Sequence, residues 1–203
     1  MPTLEKLADF WSAEGLKHII PNVGNEFPEG FDVRELLKTI INPEDGVLEV
    51  GCGYGRLCGA FPAAKYTGVD VNPSAIATAK ERNPEYRFEA IAPAAALPHA
   101  GTALVYTVGL HVSDEELGRF LKPICAAAPV LVVAELMDVR WRRGGDPPVF
   151  NRDPEQYVAT MMSLGYLLQA WVKAPYARYS QQSGNVADGR ITFHTYGRSK
   201  NAG

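Results

Sequence analysis

The sequence predicts an α/β protein, a three-layer sandwich on a mostly parallel seven-stranded sheet with an antiparallel pair at one edge. Short apolar runs alternate with helical segments from Val47 onward, and alternating elements of this length demand parallel strands, right-handed crossovers and helices on both faces. A loop of alternate glycines, Gly51, Gly53 and Gly55, follows the first apolar run directly, where ligands bind such sheets. The last two apolar runs, YLLQAWVKA and RITFHTYGR, are joined only by Pro175 to Gly189. That is too little chain for a helical crossover, so the two strands pair antiparallel.

The opening residues suggest short helices, TLEKLADFW and AEGLKHII, broken by Pro21, Gly24, Pro28 and Gly30. Asp32 can cap a helix from Val33 to Ile41, which Asn42-Pro43 and the turn Glu44-Asp45-Gly46 end. VLEVG is the first strand, with a helix expected from Arg56 to Phe61. KYTGVDV is the second, and Asn72-Pro73-Ser74 supplies the cap and first turn of the helix AIATAKER. YRFEAIA is the third strand, and a loop through Ala94, Leu97 and Pro98 leads to the fourth, ALVYTVG. Ser113 and Glu116 are placed for a capping box on a helix that ends before Pro123 or near Ala127. PVLVVAEL is the fifth strand, followed by a loop from Met137 to Arg152 and a helix that Asp153-Pro154-Glu155 opens and Gly165 ends. The expected organisation is a single domain, residues 32–203, preceded by an N-terminal helical lid segment, residues 1–31.

With 203 residues, 46% of them apolar, the chain can bury one sizeable core. A net charge of −3 gives no overall footprint for a polyanion, so nucleic acid is not an expected partner. No run of about 18 apolar residues occurs and acids appear early, so a soluble, unexported, cytoplasmic protein without membrane contact is expected, as monomer or homodimer. Cys52, Cys58 and Cys125 form no CxxC pair and have no histidine at ligand spacing, which disfavours disulfides and a metal site.

Two ligands compete for the glycine loop. A dinucleotide fingerprint needs GxGxxG, but the third position here is Arg56, and the glycine falls one residue early at Gly55. Glu49 would also stand near a pyrophosphate, where like charges about 4 Å apart repel by roughly 4 kcal/mol per unit pair at an effective dielectric of 20. A ligand carrying an ammonium and a sulfonium reverses that sign, and glycines let it lie against the backbone.

Glu49-Val50-Gly51-Cys52-Gly53-Tyr54-Gly55, then Val69-Asp70-Val71-Asn72-Pro73-Ser74, then Ala96-Leu97-Pro98 before the fourth strand, resemble in order the motifs of the class I S-adenosylmethionine-dependent methyltransferases. NRDPEQYVATMMSLGY is similar to the last helix of small-molecule members. The resemblance runs from about Asp32 to the end and implies a Rossmann-like fold with S-adenosylmethionine as cofactor and S-adenosylhomocysteine as its product. It also implies a cofactor site from Glu49, Gly51, Cys52, Gly53, Gly55, Asp70, Val71, Ile91, Ala92 and Thr107. Asp70 at the end of the second strand would accept from both ribose hydroxyls. The acid that members often carry after the third strand, for the adenine amino group, is absent; Pro93, Ala94 and Ala95 stand there, leaving adenine to apolar packing on Ile91, Ala94 and Leu97.

A sulfonium is already an excellent leaving group, so such an enzyme mainly positions its acceptor and excludes water, and a base is optional. His111 after the fourth strand and Glu135 at the end of the fifth are the candidate catalytic groups; packing at a helix start and a structural ion pair are their competing readings. In the loop MDVRWRRGGDPPVFNR, Arg140, Trp141 and Arg143 suit an anionic acceptor or a sugar derivative, against a solvated loop whose arginines meet surface acids. Trp11, Tyr176 and Tyr179 complete the candidate acceptor site, with Gln182 beside them. The function expected is methyl transfer to a small molecule, O-methylation favoured. An RNA or protein methyltransferase, a non-catalytic cofactor-binding module and a dehydrogenase remain the alternatives.

Overall fold

Val47–Val50, the first strand (β1), is buried along its whole length and pairs in parallel with Tyr66–Asp70 (β2) on one side and Thr102–Tyr106 (β4) on the other. Arg87–Ala90 (β3) continues the sheet beyond β2, and Val130–Glu135 (β5) continues it beyond β4, both in parallel. Arg190–Arg198 (β7) then lies antiparallel between β5 and the edge strand Tyr166–Pro175 (β6), giving the order β3-β2-β1-β4-β5-β7-β6. The computed structural model describes residues 3–13, 15–19, 27–92, 95–145, 147–176 and 189–199.

Period-two alternation along the strands sorts side chains into two cores, one on each face. Val47 and Leu104 fall with Leu37, Leu57, Phe88 and Phe193 on one face, and Leu48, Ala103 and Val105 fall with Leu121, Leu131 and Met161 on the other. The helices are Leu4–Ala13 (α1), Val33–Ile40 (α2), Pro73–Arg82 (α3), Asp114–Ala127 (α4) and Pro154–Ser163 (α5).

The helix starts follow their caps. Asp32 accepts from the N–H of Arg34 at α2, Asn72 accepts from the N–H of Ala75 at α3, and Asp153 with Gln156 makes a full capping box at α5. Two expectations are corrected. At α4 the Ser113 hydroxyl is buried with no partner and only its carbonyl accepts from the Glu116 N–H, while the Glu116 carboxylate pairs with Arg119, so no capping box forms. That helix continues through Pro123 because Leu117, Leu121, Ile124 and Cys125 keep its inner face buried.

The second correction is the helix expected from Arg56 to Phe61, where the chain instead makes successive turns ending in one 3₁₀ turn, Cys58–Ala60. Gly55 holds φ +73° and Pro62 follows soon after, leaving too short a stretch to offset the cost of nucleating an α-helix. A Cβ on Gly55 would stand 2.7 Å from the Phe88 ring, so this glycine serves the packing of β3 under the loop.

Candidate active site

A cavity of about 500 Å³ opens at the carboxyl ends of the strands, between β1 and β4, where the strand order reverses. One wall is the glycine loop. Gly51 turns at φ +77°, and a Cβ there would lie 2.4 Å from a Val108 methyl, so only glycine lets the chain leave β1 at this angle. The Gly53 N–H donates to Asp70 Oδ2 at 2.8 Å, and the Asn72 N–H donates to Oδ1 at 2.9 Å. These bonds fix the Asp70 carboxylate at the cavity wall and leave further lone pairs for a ligand. Burial raises its pKa above the usual aspartate value, and the backbone donors counter that shift.

Cys52, Val71, Ile91, Ala92 and Leu97 extend this end of the wall, an apolar slot beside a carboxylate. Thr107 closes it from β4 at φ +53°, the one non-glycine residue with positive φ among those described. A backbone bond from its N–H to the Ala134 carbonyl at 2.9 Å holds this strained turn, and its hydroxyl accepts from Arg56 at 3.3 Å. Arg56, which the sequence marked only as the residue breaking the dinucleotide pattern, stands on the cavity wall with its guanidinium 4.9 Å over the Tyr106 ring. An arginine directly after the last alternate glycine was its available signal.

The far end of the cavity is lined by Trp11, His18, His111, Arg143 and Tyr176. His111 sits in a 3₁₀ turn, Gly109–His111, with its ring 4.9 Å from that of Trp11. Its Nδ1 lies 3.2 Å from the Pro148 carbonyl, which can only accept, so the proton is on Nδ1 and the lone pair on Nε2. Burial drives its pKa down to about 4, with the nearby Arg143 and His18 adding to the shift, so the ring is neutral near pH 7. The Arg143 side chain has no hydrogen-bonding or ionic partner among the described residues, and its backbone is held in a β-bridge with Val149.

Several expected site residues are placed elsewhere. Glu49 is 2% exposed and lies on the sheet face that carries Val47, where the Tyr66 hydroxyl donates to it at 2.5 Å and burial pushes its pKa up to about 7. It does not line the cavity, so repulsion of a pyrophosphate by Glu49 cannot be the feature that selects the ligand. Gly55 lies behind the loop against Phe88. Glu135 is fully buried, its Oε1 accepts from the N–H groups of Val108 and Gly109 at 3.1 and 2.7 Å, and burial raises its pKa to about 8. It shapes the turn carrying His111 and does not reach the cavity.

Arg140 pairs with Asp138, and Trp141 packs against the core on the sheet face that carries Val47, so neither lines the cavity. Arg142 and Arg152 both pair with Asp114, and Arg152 also donates to the carbonyls of Gly109 and Val112. Of the loop's arginines, only Arg143 lines the cavity. Tyr179, Gln182, Pro93 and Ala94 lie outside the described residues. Leu7, Ile19 and Arg119 also line the cavity, and no motif or spacing sets them apart.

Residues 47–128 match the sequence profile of a family described as "Methyltransferase domain". A malonyl-[acyl-carrier protein] O-methyltransferase of Anoxybacillus flavithermus (strain DSM 21510 / WK1) is 43% identical over 51 residues, 23% of this chain and 20% of that protein. A trans-aconitate 2-methyltransferase of Variovorax paradoxus (strain S110) is 41% identical over 61 residues, 28% of this chain and 24% of that one. Each match thus spans a quarter of the relative's length or less. The magnesium protoporphyrin IX methyltransferase of Synechocystis PCC 6803, solved with bound SAM, superposes with a TM-score of 0.67 at 13% identity, over 98% of both chains. The profile covers the glycine loop and the Asp70 strand end, and the likeness in fold extends over the rest; together they support a class I S-adenosylmethionine-dependent methyltransferase.

Proposed function

We propose that this protein transfers the methyl group of S-adenosylmethionine to a small-molecule acceptor, with oxygen as the receiving atom. The observation that carries the reading is one continuous cavity with a carboxylate on a glycine loop at one end and an imidazole beside a guanidinium at the other. Bound cofactor would supply an electrophilic methyl carbon on a good leaving group. Asp70 would hold the ribose hydroxyls, Arg56 the carboxylate of the methionyl part, and Val71, Ile91, Ala92 and Leu97 the adenine faces. Gly51, Cys52, Gly53 and Thr107 would form the surface on which the cofactor lies.

At the other end Arg143, His111, Trp11 and Tyr176 would orient the acceptor, which is anionic or a sugar derivative in this reading. The two curated relatives bear the names of a malonyl-[acyl-carrier protein] O-methyltransferase and a trans-aconitate 2-methyltransferase, and the malonyl and aconitate groups in those names support an anionic acceptor here. The N-terminal segment would act as a lid, because Leu4, Leu7, Ala8 and Trp11 of α1, with His18 and Ile19, roof the cavity. The whole cavity falls within the range that holds a single drug-sized ligand, roughly 300–1,000 Å³. A cofactor fills much of such a space, which supports a compact acceptor over a macromolecule. Among the described residues no helix is long and apolar enough to cross a membrane.

Calorimetry with S-adenosylhomocysteine and with NAD tests the cofactor, and transfer of tritiated methyl to a panel of small acids, alcohols and phenols tests the reaction. Tighter binding of NAD would overturn the reading; cofactor binding without transfer to any acceptor would favour a binding module.

A further inference from the structure

We infer that the acceptor's nucleophile is a carboxylate seated on Arg143, so that the product is a methyl ester. The inference rests on the methyltransferase reading and deepens it by naming the substrate class.

It starts from which groups at the acceptor end can accept a proton. An alcohol must lose one as it attacks, and an effective base lies within hydrogen-bond reach with a pKa near the working pH. Asp70 is at the opposite end of the cavity, tied to the N–H groups of Gly53 and Asn72. Glu135 is fully buried, accepts from the turn it supports, and does not line the cavity. His111 reaches the cavity with its Nε2 lone pair, but burial, with Arg143 nearby, leaves the ring holding a second proton poorly despite its bond to Pro148. Apart from His18 on the roof, the described acceptor end therefore has a cation and no effective base. An acceptor that arrives already ionised needs none.

Arg143 also decides between anions. Its guanidinium is the one on the cavity wall with no side-chain partner among the described residues, since Arg56 is engaged with Thr107 and Tyr106, and Arg119 with Glu5 and Glu116. One planar fork matches one carboxylate in bidentate fashion, and its single positive charge balances that of a monoanion. Each carboxylate oxygen keeps a second lone pair after accepting from the fork. In the transfer that pair forms the new bond to the methyl carbon, the carbon–sulfur bond breaks with its pair staying on sulfur, and the sulfonium becomes a neutral thioether. The carboxylate charge and the sulfonium charge are consumed together, and no proton is released.

The test uses the full chain, tritiated-methyl cofactor, and a panel of mono- and dicarboxylic acids set beside alcohols and phenols of the same size. Methyl esters release volatile radioactive methanol in mild alkali, and ethers do not. Alkali-labile counts from at least one acid are expected. The Arg143→Ala variant is expected to raise KM for that acid at least tenfold, with Arg143→Lys recovering part of the loss. Calorimetry of the same acid into protein loaded with S-adenosylhomocysteine should show the same order of affinities without turnover, while both variants bind S-adenosylhomocysteine as the parent does. Counts that are all alkali-stable, or an acid affinity unchanged in Arg143→Ala, would overturn the carboxylate assignment and leave the methyltransferase reading standing. Failure of S-adenosylhomocysteine to bind the parent protein would instead remove that reading, and the inference with it.

Discussion

Glu135 Oε1 takes the N–H groups of Val108 and Gly109, while Arg152 donates from the other side to the carbonyls of Gly109 and Val112. The turn that carries His111 is thus gripped by a buried acceptor and a buried donor, and its backbone groups are satisfied without a helix. Glu135→Ala would strand two buried N–H groups, at about 1–3 kcal/mol each, so a lower thermal midpoint and a slower enzyme are expected together. Glu135→Gln keeps an acceptor in the same place and should restore most of both; a glutamine variant as slow as the alanine one would point to a direct chemical role for the carboxylate. Asp70 carries two duties at once, because the bonds to Gly53 and Asn72 hold the loop as well as the charge. Asp70→Asn, which retains one acceptor oxygen, is expected to weaken S-adenosylhomocysteine binding about 10- to 100-fold, since a charged acceptor for ligand hydroxyls is worth about 1.5–3 kcal/mol. Calorimetry reads this directly, and an unchanged affinity would remove Asp70 from the ribose.

At the scale of elements, α1 is fastened to the body by few bonds. Asn72 Nδ2 donates to the Trp11 carbonyl at 2.5 Å, the Ser12 hydroxyl donates to the Val71 carbonyl at 3.1 Å, and Glu5 pairs with Arg119 at the surface. Asn72 therefore both caps α3 and holds the roof, which couples the roof to the strand end bearing Asp70. In the lid reading, Trp11→Ala should raise the acceptor KM several-fold and leave the thermal midpoint nearly unchanged, because a half-buried ring over a cavity supports little of the core. A large loss of stability with an unaltered KM would make Trp11 a packing residue. Elements set by local chemistry were legible in the sequence: Asp32, Asn72-Pro73 and Asp153-Pro154 cap helices where their side chains require. The antiparallel pair was legible from the short connection, and its placement with β7 inside β6 was not, because strand order depends on which side chains find room next to β5. The helix after Gly55 failed for a similar reason, since the turn geometry and the Phe88 ring override its helix-forming residues.

Across the whole molecule, the lining of the candidate site was legible wherever it sits on backbone that the strands position, as at Gly51, Gly53, Asp70 and Thr107. It was less legible where a side chain's direction decides, as with Glu49, which the two-residue period turns onto the sheet face toward Tyr66. That burial has a consequence for stability. Glu49 and Glu135 have pKa values raised from 4.5 to about 7 and about 8, so above pH 4.5 the folded state binds protons that the unfolded chain has lost. Their effect is stability that declines as pH rises toward those values. His111 and His194 are lowered from 6.5 to about 4, so between these values the unfolded chain binds the extra protons and stability rises with pH. Between about pH 4.5 and 6.5 the two pairs oppose each other and the thermal midpoint should be nearly level. Above pH 6.5 only the carboxyls remain, and stability should fall by about 1.4 kcal/mol per pH unit for each one still protonated. Glu135→Gln has no proton to lose, so a scan of its unfolding between pH 6.5 and 8.5 should show a shallower decline than the parent, with the difference in slope largest below pH 8 and fading above it. Parallel curves for the two proteins would mean that Glu135 is already ionised in the folded state and that its two backbone donors outweigh its burial.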